Sequence, residues 1–170
     1  MIEVLRQRRS IRKYKKTAIE QGKIEILKEM ILRSPSSRNL NPWQFIFVEN
    51  KEMLERLSAA KPHGADFLKD AALGIVICGD EEVSDVWVED CSIASILTQL
   101  AAQQLGLGSC WIQIRNRNHS DEMSAGEYVR RQLNIAQNLK VESIISLGYP
   151  AEKKSRIPKE TLDWDKIKIF

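Results

Sequence analysis

Seven of the chain's 26 cations fall within eleven residues, RQRRSIRKYKK (6–16), and a second basic group, EKKSRIPKE (152–160), lies near the far end. Arginine and lysine are the side chains that hold multiply charged anions, phosphate above all, through short charge-assisted hydrogen bonds. Either cluster alone reads as a solvated face; two together could hold one anion. A third stretch, SPSSRNLNPWQFIFV (34–48), has a different chemistry. Its serines, asparagines and prolines are small turn-forming donors and acceptors placed directly before a tryptophan and an apolar run.

Other chemistries find little support. Cys78, Cys91 and Cys110 sit in apolar surroundings without CxxC or His spacing, so they are expected to be buried free thiols of a cytoplasmic protein. His63 and His119 lie far apart in polar segments, and no metal site is expected. The net charge of +3 is too mild for a nucleic-acid footprint over the whole surface. No apolar run approaches membrane-spanning length, and nothing resembles a secretory signal. GLGSC carries only a GxG fragment, and it leaves a helix where a phosphate loop should enter one.

These residues need a scaffold. Length and composition predict a single domain over 1–170 with a polar C-terminal arm over about 151–170. Apolar spacing predicts a first helix ending near Ser10, then helices over 23–33, 51–60, 85–105 and 122–133. Strands are expected at 43–48, 72–80, 109–114 and 140–150. Helix 85–105 is apolar nearly all round (Trp87, Ile93, Ile96, Leu97, Leu100, Leu105), so it is expected to be core, or core plus a subunit interface. Pro158, Trp164 and Ile167 are expected to anchor the arm. The mixed element order favours an α+β layer fold.

Four segments, RRSIRKY (8–14), SPSSRNLNPWQF (34–45), AAQQLGLGSCWIQI (101–114) and SLGYPAEKKSR (146–156), together resemble the flavin-dependent nitroreductase family. They follow the family's order, and the resemblance covers essentially the whole chain. It implies a three-layer fold, with a mostly antiparallel or mixed sheet of about four strands flanked by helices and a long core or interface helix. It also implies a homodimer with FMN at the interface, reduced by NADH or NADPH and reoxidised by a small acceptor such as a nitroaromatic or a quinone. On that resemblance Arg8, Arg9 and Ser10, joined by Lys154 and Arg156, bind phosphate and ribityl. Arg12 stands beside the pyrimidine edge, where a cation stabilises charge on the reduced ring. Pro35, Ser36, Ser37 and Asn39 reach the partner's cofactor. Trp111, Gln113 and Ile114 lie along the ring, with a backbone N–H near its hydride-accepting nitrogen. No catalytic side chain is implied, because the flavin carries the chemistry.

The chain departs from longer relatives in two places. Only Glu81–Ser84 separates the second strand from the long helix, so their covering excursion is absent. HGADFLKD (63–70) offers no match for their flavin-contacting Asn and Lys. Alternative functions are a related flavin reaction such as enone reduction or reductive dehalogenation, an FMN storage or sensor protein without turnover, and a basic nucleic-acid-binding module.

Overall fold

Apolar side chains on both faces of the two central strands require helices on both sides of the sheet. The computed structural model, which describes residues 1–170, has this arrangement. Its strands are β1 (Trp43–Val48), β2 (Leu73–Asp80), β3 (Gly108–Gln113) and β4 (Leu139–Gly148). They form one sheet in the order β1-β2-β4-β3, antiparallel at every pairing. The helices are α1 (Ile2–Gln7), α2 (Gln21–Leu32), α3 (Lys51–Ser58), α4 (Trp87–Gln104) and α5 (Ala125–Gln132).

Alternation along the strands divides the core into two. Leu73, Ile75, Ile77, Ile145 and Leu147 pack against Ile24 and Leu27 of α2 and Cys91, Ala101 and Ala102 of α4. On the opposite face Val76, Cys78, Cys110, Ile112 and Ile144 meet Leu54 and Leu57 of α3, Ala125 and Val129 of α5, and Phe67 and Leu68 of a 3-10 turn. The result is the expected three-layer α+β fold.

Several local expectations are corrected. The first helix stops at Gln7, because Arg8 adopts ψ 124° and Ser10 instead bridges to Ser109 in β3. α5 begins at Ala125, where the Ser124 side chain caps the Glu127 N–H, so Met123 precedes the helix. α4 is not buried all round: Asp90, Ser95, Thr98 and Gln99 are among its buried residues, whereas Ile93 and Ile96 are 40% and 38% exposed. Ser95 explains part of this inversion, since its hydroxyl bonds that of Ser143 in β4 at 2.8 Å. The start of the arm is tied to the N-terminal segment through Glu152 and Lys154, but every residue from 155 to 170 is exposed, so Trp164 and Ile167 have no buried partner in their own chain. No helix is long and apolar enough to cross a membrane.

Candidate active site

The two basic clusters meet at the outer end of β3. Ile11 N–H donates to Ser109 O at 2.9 Å, laying the N-terminal segment alongside the strand. Two glycines allow it so close: a Cβ on Gly108 would lie 2.9 Å from Ile11, and one on Gly148 2.9 Å from Tyr14. From the other end of the chain, Lys154 Nζ donates to Ser10 O at 2.6 Å, and the Arg9 guanidinium donates to Ser155 O. Glu152 accepts from the Arg12 and Lys13 N–H groups at 2.6 and 3.2 Å, and those bonds hold its carboxyl below the ordinary carboxylate range. Arg156 lies 3.5 Å from exposed Glu3, a weak tether. Arg8 is half-buried and adjoins Arg9 in the chain.

Arg12 places its guanidinium 5.6 Å from the Phe67 ring centre, a cation–π contact. It also opens a cleft of about 640 Å³ that Lys13, Lys15, Lys16, Lys51 and Lys69 line, a positive approach to the same place. The Cys110 thiol lies beneath Ser10 and Arg12. Burial pushes it up, against the pull of nearby Arg12. Cys78, more deeply buried, is pushed up to about 12. Both are inert as nucleophiles at neutral pH.

The 34–42 loop is built separately. Ser34 closes α2 by donating to Ile31 O at 2.6 Å, so helix capping is part of its role. The Ser36 hydroxyl accepts from Asn41 N–H at 2.8 Å, and Arg38, Asn39 and Asn41 all take positive φ, near +50°. Left-handed backbone at three non-glycine residues is strained and must be held by its surroundings. Asp90 of α4 holds it. This carboxylate, 2% exposed, accepts Ser37 N–H at 2.7 Å and the Ser84 hydroxyl at 3.0 Å, while Arg38 pairs with Asp85.

Within one chain the loop lies away from the basic cluster. Ser109 stands opposite Leu147, whereas Asp80, which bonds Pro42 O, stands opposite Leu139. The eight residue-to-residue steps of β4 from Leu139 to Leu147 span about 26 Å at roughly 3.3 Å each.

At the inner end of β3, Trp111 and Gln113 are half-buried, and Trp111 packs with the α4-side core. Trp111 Nε1 donates to Gln113 Oε1 at 2.9 Å, and Gln113 Nε2 donates to Arg115 O at 3.0 Å. Ile114 lies with the opposite core, and its N–H is already taken by Glu142 O at 3.2 Å. The residues that organise these parts, Glu152, Asp90 and Glu142, are all acidic, and sequence reading passed over them. Glu142 alone carried a local signal, a charged residue inside an apolar strand pattern.

The nitroreductase family model matches residues 5–63 and 58–149. A Methanothermobacter thermautotrophicus protein bearing the name NADH dehydrogenase/NAD(P)H nitroreductase is 37% identical over 172 residues, covering 99% of this chain and 86% of that relative. An Archaeoglobus fulgidus protein with the same name is 38% identical over 157 residues, 90% of this chain and 87% of its own. Among solved structures, an FMN-dependent nitroreductase from Clostridium difficile R20291 superposes with a TM-score of 0.98 at 46% identity, covering 99% of this chain and 98% of that one.

Proposed function

Because the chain belongs to the nitroreductase family, we propose that it is an FMN-dependent oxidoreductase. NADH or NADPH supplies its electrons, and small electrophilic acceptors such as nitroaromatics and quinones take them. One observation carries the reading: basic residues from opposite ends of the sequence converge on Ser10 and Ser109. That donor set fits a flavin phosphate. FMN held there would supply the redox chemistry, hydride uptake from the nicotinamide and electron delivery to the acceptor. Arg8, Arg9, Lys154 and Arg156 neutralise the phosphate, with Ser10 at the ribityl side. The bonds of Arg9 and Lys154 to backbone carbonyls keep both cations in place before the anion arrives. Arg12 stabilises negative charge at the pyrimidine edge, Trp111 and Gln113 form the wall along the ring, and Ile114, buried on the other face of the strand, backs them.

A second copy of the chain completes the site. Pro35, Ser36, Ser37 and Asn39 are too far from their own basic cluster to share its ligand, so they serve the partner's. The exposed Ile93 and Ile96 on α4, with the uncovered apolar residues of 155–170, support a two-fold dimer. With only the short 81–86 turn between β2 and α4, the flavin is accessible and the acceptor range is broad. The buried free thiols suit the reducing cytoplasm.

The test is direct. FMN added to apo-protein should raise its melting temperature and lose its own fluorescence, and NADH or NADPH should bleach the yellow complex, with the colour returning on adding a quinone. Absence of both FMN effects refutes the cofactor. A yellow complex that neither nicotinamide bleaches is a storage protein.

A further inference from the structure

β4 carries one residue too many. Ile77 pairs with Ser143, but the next residue, Cys78, pairs with Val141, so Glu142 is the extra residue of a β-bulge. Bulges re-aim side chains and recur beside functional sites. This one turns a carboxyl inward: Glu142 is 4% exposed, and its Oε2 has no hydrogen-bond partner. Burying such a group without full satisfaction is costly, and its presence requires a reason.

Its hydrogen bonds and its ion pair converge on one short segment. Glu142 O accepts from the N–H groups of Ile114 and Arg115, at 3.2 and 3.0 Å. Its Oε1 lies 3.5 Å from Gln113 Nε2, and Oε2 lies 4.0 Å from Arg115 Nε. One residue therefore grips residues 113, 114 and 115 where β3 ends. The contacts pass outward to two indoles, since Gln113 accepts from Trp111 and the Arg115 guanidinium lies 5.8 Å from the Trp87 ring centre.

We propose that Glu142 is a positioning residue for the ring-facing end of β3, holding the Gln113 amide and the Arg115 guanidinium, and that its gain or loss of a proton moves both. The claim rests on the flavin reading only in placing Gln113 at the ring. The titratable groups facing Glu142 are Arg115 after β3 and Glu89 and Cys91 on α4. Burial pushes the carboxyl up, Gln113 and Arg115 pull it down more weakly, and Glu89 adds to the upward push. The sign follows: a neutral Glu142 contributes its full stability at low pH and loses it as pH rises through the folded-state value. Losing the proton draws Arg115 from Trp87 toward the bare Oε2.

Tryptophan fluorescence of the apo-protein against pH tests this without cofactor. The unmodified protein should show a transition above the exposed-glutamate value of about 4.3. Glu142→Gln should abolish it, Glu89→Gln should retain it, and Arg115→Met should move its midpoint upward by removing the attraction. No transition in the unmodified protein, or the same one in Glu142→Gln, overturns the proposal. Should Glu142→Gln fail to fold, Arg115→Met decides: an unmoved midpoint overturns it. Bound FMN, by excluding water, should raise the midpoint, and Glu142→Gln should lower kcat about tenfold with little change in KM. FMN binding that leaves the midpoint unmoved refutes the positioning role, whereas a transition seen without any FMN binding supports the proton switch and refutes the flavin reading instead.

Discussion

In the basic cluster, the Arg12 and Lys13 N–H groups reach Glu152, 140 and 139 residues away, and Lys154 reaches Ser10 across 144. In the 34–42 loop, Ser34 reaches back only to Ile31 and Ser36 forward only to Asn41, with Asp90 as the buried tie to the rest of the fold. The first region is assembled by long-range contacts between backbone groups and side chains of the two chain ends. The second holds left-handed backbone at three residues through local bonds and one buried carboxylate. The lesson is that the chain organises each half of the proposed site independently, and so specific a loop has a use only if something outside this chain meets it.

Six substitutions, in four groups, sharpen that comparison. Gly108→Ala with Gly148→Ala should have the largest effect, because each Cβ collides with the N-terminal segment. We expect about 1–3 kcal/mol of destabilisation from each by chemical denaturation, with FMN binding lost outright. Asp90→Ala strands the Ser37 N–H and the Ser84 hydroxyl, and should cost about 2–3 kcal/mol in the same assay while leaving the basic cluster intact. Loss of stability there with unchanged FMN affinity in the dimer would detach the loop from the cofactor. Arg8→Ala or Arg156→Ala should weaken FMN about tenfold in a fluorescence titration, with apo melting unchanged. Ile96→Glu should alter monomer stability least, by about 0.5 kcal/mol, because the side chain already faces outward. Light scattering should nevertheless find it monomeric.

How much of this could be read from sequence varies by element, for physical reasons. The four strands follow from short runs of buried apolar and branched residues, where local pattern suffices, whereas the three layers are implied by the family resemblance. α4 shows the limit: a helix rich in both large apolar and small polar residues has no clear stripe, and Ser95 turns inward because Ser143 waits for it on β4. The end of α1 depends on Ser109, almost a hundred residues away, so no local signal marks it. α5 is the opposite case. Ser124 and Glu127 are spaced as a capping pair, so the sequence does mark a start at 125, a local signal that the expected 122–133 helix overran. Of the proposed site, the cationic residues could be recognised by type, whereas Asp90 and Glu152 act through tertiary contacts and look like surface acids in a linear reading; Glu142 alone stands out, as a charge inside an apolar strand.

The separation of loop and basic cluster along β4 has a genetic consequence. If each flavin takes its cations from one chain and its loop from the other, a variant lacking Arg8 and Arg156 and a variant with a ruined 36–39 loop are each inactive alone. Paired together, they form a dimer with one doubly damaged site and one intact site. Co-expressed in equal amounts and assorted at random, they should restore about a quarter of the sites. Two such null alleles would therefore complement each other in a cell, whereas two alleles damaged in the same half would not.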